Sequence, residues 1–124
     1  MIQESVHNYL ISKVDLTAYV GERIYWPDAP QGSTYPLITF KTVSAPKDYM
    51  LDDEWQRWRF YIFDEDKFVV NTISDKLKGY LQNLYGDVDV DYIDLITRID
   101  EIDPEYRADD QVYYKYIDFR VIYH

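Results

Sequence analysis

The side chains with the most capacity for chemistry in this sequence are carboxylates. In the run DVDVDY, Asp87, Asp89 and Asp91 fall on alternating positions, as the first ligands of a calcium-binding loop do. The match stops there. The sixth position of such a loop needs glycine for its sharp turn and holds Tyr92, and the twelfth needs a bidentate glutamate and holds Arg98. The run therefore reads as the entry to a strand, carrying outward, solvated carboxylates.

The remaining acidic groups, Asp52-Asp53-Glu54, Asp64-Glu65-Asp66 and Asp109-Asp110, each stand beside a predicted turn or helix start. Local amides and the helix dipole stabilise carboxylates in such places, so structure alone accounts for them. A hydrolytic pair would need two of them to converge, with one held protonated by burial. Histidine occurs only as His7 and His124, there is no cysteine, and the glycines at 21, 32, 79 and 86 are isolated. Material for a Ser/His/Asp triad, a thiolate or histidine metal site, or a glycine-rich phosphate loop is missing. The expectation is a protein with no catalytic residues, no metal and no cofactor.

Charge narrows the partners. Asp and Glu number 23 against 13 Lys and Arg, a formal net charge of -10. That balance repels phosphate backbones and disfavours direct binding of DNA or RNA, while keeping an aromatic-rich chain soluble. Hydrophobic residues make up 47% and aromatic residues 18%, mostly the 14 tyrosines, which is ample for one packed core in 124 residues. Neither a signal peptide nor an apolar span long enough for a bilayer is present, so a soluble protein is expected.

The elements that must position these residues follow from periodicity. Ile2, Val6, Tyr9, Leu10 and Lys13 or Val14 form one apolar stripe on a short first helix. Asp15 is positioned to cap a further turn through Thr17 to Val20, with Gly21 as its stop. Residues 23 to 36, RIYWPDAPQGSTYP, hold three of the five prolines and predict a short edge strand at Arg23 to Trp26 followed by a fixed loop. LITFKTV alternates as a half-buried strand. A long loop from Ser44 to Asp53 exposes Tyr49, Met50 and Leu51 near its tip, and loops of this length are often functional. From Phe68 onward, Val69, Ile73, Leu77, Tyr80, Leu81 and Leu84 keep helical spacing, with Asp64 or Asp66 as N-cap and Gly86 as stop. Strands at about Tyr92 to Ile102 and Val112 to Tyr123 follow, joined by the polar turn DPEYRADDQ. The class is α+β, one domain over residues 1–124: a mixed or antiparallel sheet of about four to five strands with two helices packed on one face.

Two strands carry the functional signal. In EWQRWRFYIF, Trp58, Phe60 and Ile62 point one way and form core, while Trp55, Arg57, Arg59 and Tyr61 point the other. In VYYKYIDFRVIY, Tyr113, Ile117, Phe119 and Val121 lie on or beside the apolar face, and Tyr114, Tyr116, Asp118 and Arg120 on the reverse. Aromatic residues combined with arginine dominate interface hot spots, because they bury large area at little rotamer cost and stack on one another. The site expected is therefore a subunit or partner interface made of Trp55, Arg57, Arg59, Tyr61, Tyr114, Tyr116 and Arg120, with Tyr49, Met50 and Leu51 as a second surface. The competing reading is a solvated sheet face on which Tyr and Arg merely pack across strands.

At RIYWPDAPQGSTYPLITF the chain resembles the siphophage tail completion or tail terminator proteins, in which a helix leads into a short strand, a proline-bearing loop and a Tyr-Pro entry to the next strand. EWQRWRFYIFDEDKFVVNTISDKL is similar to the same family's third strand and the amphipathic helix after it. The resemblance covers most of the chain in element order and contains no catalytic signature. It implies a structural virion protein of the tail-neck region: a ring of identical subunits, commonly six, that ends tail-tube polymerisation and meets the head-tail connector. The implied partners are further copies of the chain, the tail tube protein and the connector or head completion protein. DNA would pass through the ring unheld, eased by a negative lumen. A small acidic inhibitor or DNA mimic that blocks a basic enzyme is the alternative, and it would need its carboxylates gathered on one exposed face.

Overall fold

The computed structural model describes residues 2–44 and 54–123. Tyr49, Met50 and Leu51, the expected loop surface, lie outside the described residues, as does His124.

Helix α1 (Ile2–Ile11) forms because Ile2, Val6 and Leu10 recur every fourth residue and all three are buried. Helix α2 (Val14–Val20) buries Leu16 and Val20. Its N-cap is Lys13, not Asp15: the amides of Leu16 and Thr17 already donate to the Lys13 carbonyl, so the helix starts earlier and Asp15 falls inside the first turn. Gly21 does end it, at φ +58°, its amide donating to the Thr17 carbonyl at 2.7 Å. Helix α3 (Lys67–Leu81) is capped by Asp66, whose side chain accepts from the Phe68 amide at 2.8 Å. It stops at Leu81 with Gln82 as C-cap, five residues before the expected Gly86, which instead opens a strand.

The strands are β1 (Ile24–Tyr25), β2 (Leu37–Ser44), β3 (Glu54–Asp64), β4 (Gly86–Val88), β5 (Asp91–Glu101), β6 (Glu105–Arg107) and β7 (Val112–Tyr123). They make one mixed sheet in the order β1-β2-β3-β7-β5-β4, with β6 also on β7. Among the described strands β1 and β2 run parallel and the other pairs are antiparallel. Among the described residues the architecture is thus α+β with seven strands and three helices rather than four to five and two. The strands that periodicity cannot reveal are β4 and β6, each three residues long; β6 lies within the run expected to be a plain turn. The proline-rich segment between β1 and β2 contains two cis peptide bonds, Trp26-Pro27 and Tyr35-Pro36.

All three helices pack on one face of the sheet. Between them lies the core: Leu10, Leu16, Ile24, Phe40, Trp58, Phe60, Ile62, Ile73, Leu77, Leu81, Ile117 and Phe119 are fully buried there. Phe40 stacks on Phe60 at 4.9 Å, and Phe119 meets Phe60 edge-on at 5.6 Å. At the lower end of this layer Lys115 is also buried, its ammonium 3.0 Å from Glu101, which Lys78 of α3 reaches at 3.2 Å. Burial raises the Glu101 carboxyl, but its hydrogen bonds with Lys115 and Lys78 outweigh this and hold it below its ordinary range. No described helix is long and apolar enough to cross a membrane.

Candidate protein-interaction face

The sheet face opposite the helices is built by the full-length register of β3 and β7, which sets Trp55 opposite Ile122, Arg57 opposite Arg120, Arg59 opposite Asp118, Tyr61 opposite Tyr116 and Phe63 opposite Tyr114. Strict alternation turns these ten side chains away from the helices. The expected division of both strands into a core face and an outer face therefore holds: Trp58, Phe60, Ile62, Ile117, Phe119 and Val121 are buried, while Trp55, Arg57, Arg59, Tyr61, Tyr114 and Tyr116 are half-buried and Arg120 is exposed.

Asp118 occupies the centre of this outer face with no exposed surface. Arg57 donates to its Oδ2 from Nε at 2.8 Å and Nη2 at 2.6 Å, and Arg59 donates from Nε to Oδ1 at 2.8 Å and from Nη2 to Oδ2 at 3.0 Å. Burial alone would raise the Asp118 carboxyl; the hydrogen bonds from Arg59 and Arg57 win and hold it below the usual carboxylate range. The same contact raises Arg59 further above its ordinary value. Two of the arginines expected to meet a partner therefore spend their donors inside the chain. Sequence alternation places Asp118 on this face; only alignment of strands about 60 residues apart reveals that it sits between the two guanidinium groups.

Around this clamp aromatic rings and guanidinium groups stack in a band along the face, with Tyr116, Tyr61, Phe63 and Tyr114 in ring contact and Trp55 set apart under Arg120. The Arg59 guanidinium lies 4.1 Å over Tyr116, Arg120 4.5 Å over Trp55, and Arg107 4.9 Å over Phe63. Tyr61 contacts Tyr116 edge-on at 5.9 Å and Phe63 by stacking at 5.9 Å. Phe63 and Arg107 are members of the band that sequence reasoning left out; the parity of Phe63 with Tyr61 was the available signal. At one end residues of the loop after β1 join the band around an open cleft of about 390 Å³, lined by Asp28, Tyr35, Leu37, Thr39, Tyr61, Phe63 and Arg107.

The other candidate groups do not converge. Asp87, Asp89 and Asp91 lie on the β4–β5 hairpin, where Asp91 accepts from Ser5 at 2.6 Å and Asp89 from Asn8 at 3.0 Å. Among the described residues, no group of three or more His, Asp or Glu side chains is placed to hold a metal ion. His7 is half-buried, its Nε2 2.8 Å from the Ile24 carbonyl oxygen.

Fold and face together define an α+β domain whose mixed sheet is sheathed by helices on one side and presents an arginine-aromatic surface on the other. Its fold is shared with a chain from the virion of a native gene transfer agent (GTA) particle, at a TM-score of 0.79 and 12% identity, covering 98% of this chain and 93% of that one. No family model and no curated protein matches the sequence.

Proposed function

We propose that this chain is a structural protein of a phage-like virion, acting by protein-protein contact and not by catalysis, and that it forms a ring, six-membered as tail terminators commonly are, which caps the tail tube and joins it to the neck. The observation that carries the reading is the near end-to-end fold likeness to a virion chain, which reaches across both proteins despite low identity. The open sheet face supports it: aromatic rings preordered by guanidinium stacking bury large area at small entropic cost when a neighbour covers them. The net charge of -10 suits a channel through which DNA slides.

Native mass spectrometry of the purified chain, alone and with tail-tube protein, tests this. A ring, formed freely or only on the tube, is expected. A strict monomer that ignores tube protein and instead grips a basic enzyme would sink the reading in favour of an inhibitor.

A further inference from the structure

We infer, resting on the ring reading above, that the Arg120 end of the outer sheet face receives the β4–β5 hairpin of the next copy of the chain, so that each subunit offers its hairpin to one neighbour and its face to the other.

The face has an unmet electrostatic demand. Arg57 and Arg120 are directly opposite across β3 and β7, an arrangement in which like charges repel. Asp118 answers Arg57, but Arg120 is exposed, lies over Trp55, and has no carboxylate partner among the described residues. Lys41 and Arg59 stand on the same face. These four cations exceed the carboxylates of Asp118 and Asp100 beside them, in a chain whose overall balance is strongly negative.

The hairpin has the opposite character. Residues 82–97 contain four aspartates and no lysine or arginine. Asp87 and Asp89 are exposed, and next to them two apolar side chains stand in solvent, Tyr85 at 72% and Val90 at 83%. A cationic patch floored by Trp55 and Ile122 complements such a knob in both charge and polarity. The contact cannot form within one chain, because β5 stands between β4 and β7. A two-fold pairing of like patches fails, since it would set arginine against arginine or aspartate against aspartate. A reciprocal two-fold dimer would match the charges but closes at two copies, so a dimer mass in native mass spectra overturns the inference. A head-to-tail contact matches both patches at once, and it is the kind that closes a ring.

The test is a charge swap read by native mass spectrometry, under whichever condition the wild-type chain assembles. Arg120→Glu alone, and Asp87→Lys with Asp89→Lys alone, should each weaken assembly by about a hundredfold. Mixing the two variants should restore rings in which they alternate, because every contact then pairs opposite charges. Swaps that leave wild-type-like rings, or a mixture that fails to assemble although each variant is folded by circular dichroism, overturn the hairpin assignment and leave the ring reading standing. A wild-type chain that stays monomeric even with tube protein overturns both. If a swapped variant does not fold, Arg120→Gln and Asp87→Asn are measured instead, and assembly that is indifferent to both substitutions and to added salt refutes the inference.

Discussion

Replacing Asp118 by asparagine should destabilise the domain more than any other polar substitution on the sheet. The carboxylate is fully buried and accepts four charge-assisted hydrogen bonds from Arg57 and Arg59. Breaking a buried pair by removing one partner costs about 3 to 5 kcal/mol when the charges left behind stay desolvated. Here the arginine side chains keep 33% and 27% exposure, so water recovers part of that loss. The remaining penalty includes two guanidinium groups left facing each other with Arg120 opposite Arg57. We expect about 2 to 4 kcal/mol, a fall in melting temperature of roughly 8 to 14 °C for a domain of this size. Urea titration followed by tryptophan fluorescence measures it. Because the Asp118 carboxyl is depressed in the folded state, its contribution is complete above the unfolded value of about 3.9 and is lost as pH falls through the folded one. The gap between wild type and variant should therefore be constant from pH 7 to about 5 and narrow only below about 4. A loss under about 1 kcal/mol, or a gap that closes near neutral pH, would show that the clamp is not a stabilising ion pair.

Three further outcomes follow from the packing. Trp58→Ala should cost about 3 to 5 kcal/mol in the same urea assay, since it empties a core site and leaves Gln56 without the indole donor at 2.7 Å. Glu101→Gln should cost about 2 kcal/mol by stranding the buried Lys115 ammonium, and its penalty should fade below about pH 4, because the depressed Glu101 carboxyl also loses its contribution on acidification. Tyr116→Ala should cost the fold only about 1 kcal/mol, from its contacts with Arg59 and Tyr61, while weakening assembly by about 1 to 4 kcal/mol in concentration-dependent native mass spectra; unfolding instead would contradict its place on the outer face.

Sequence suffices where the pattern is local. Eleven or twelve alternating residues in β3 and β7 announce their two faces without knowledge of any neighbour, and Asp66 with the Ile73-Leu77-Leu81 spacing announces α3 in the same local way. What was illegible is non-local or too short. Three residues of β4 or β6 cannot display a period, and the parallel pairing of β1 is written nowhere in its own two residues. The functional reading suffered in the same manner. Arg57 and Arg59 share a face with Tyr61 by alternation, yet their commitment to Asp118 depends on a register between distant strands. An Arg59→Ala substitution would remove half of an internal clamp, so lost assembly in such a variant has to be separated from lost stability. Arg120, stacked on Trp55 but unclamped, is the cleaner probe.

The position of β7 in the sheet also orders events during synthesis. It is the last strand in chain order, yet β3, β5 and β6 all pair with it, and β3 and β5 do not pair with each other. As the polypeptide leaves the ribosome, the β2–β3 and β4–β5 hairpins can form early but remain two separate half-sheets, each with an open edge. Only the arrival of residues 112–123 welds them, and the same event brings Asp118 to Arg57 and Arg59 and completes the outer face. Until then neither half-sheet carries the Arg57–Asp118–Arg59 clamp, and the edges of β3 and β5 that β7 will cover stay open to other pairing.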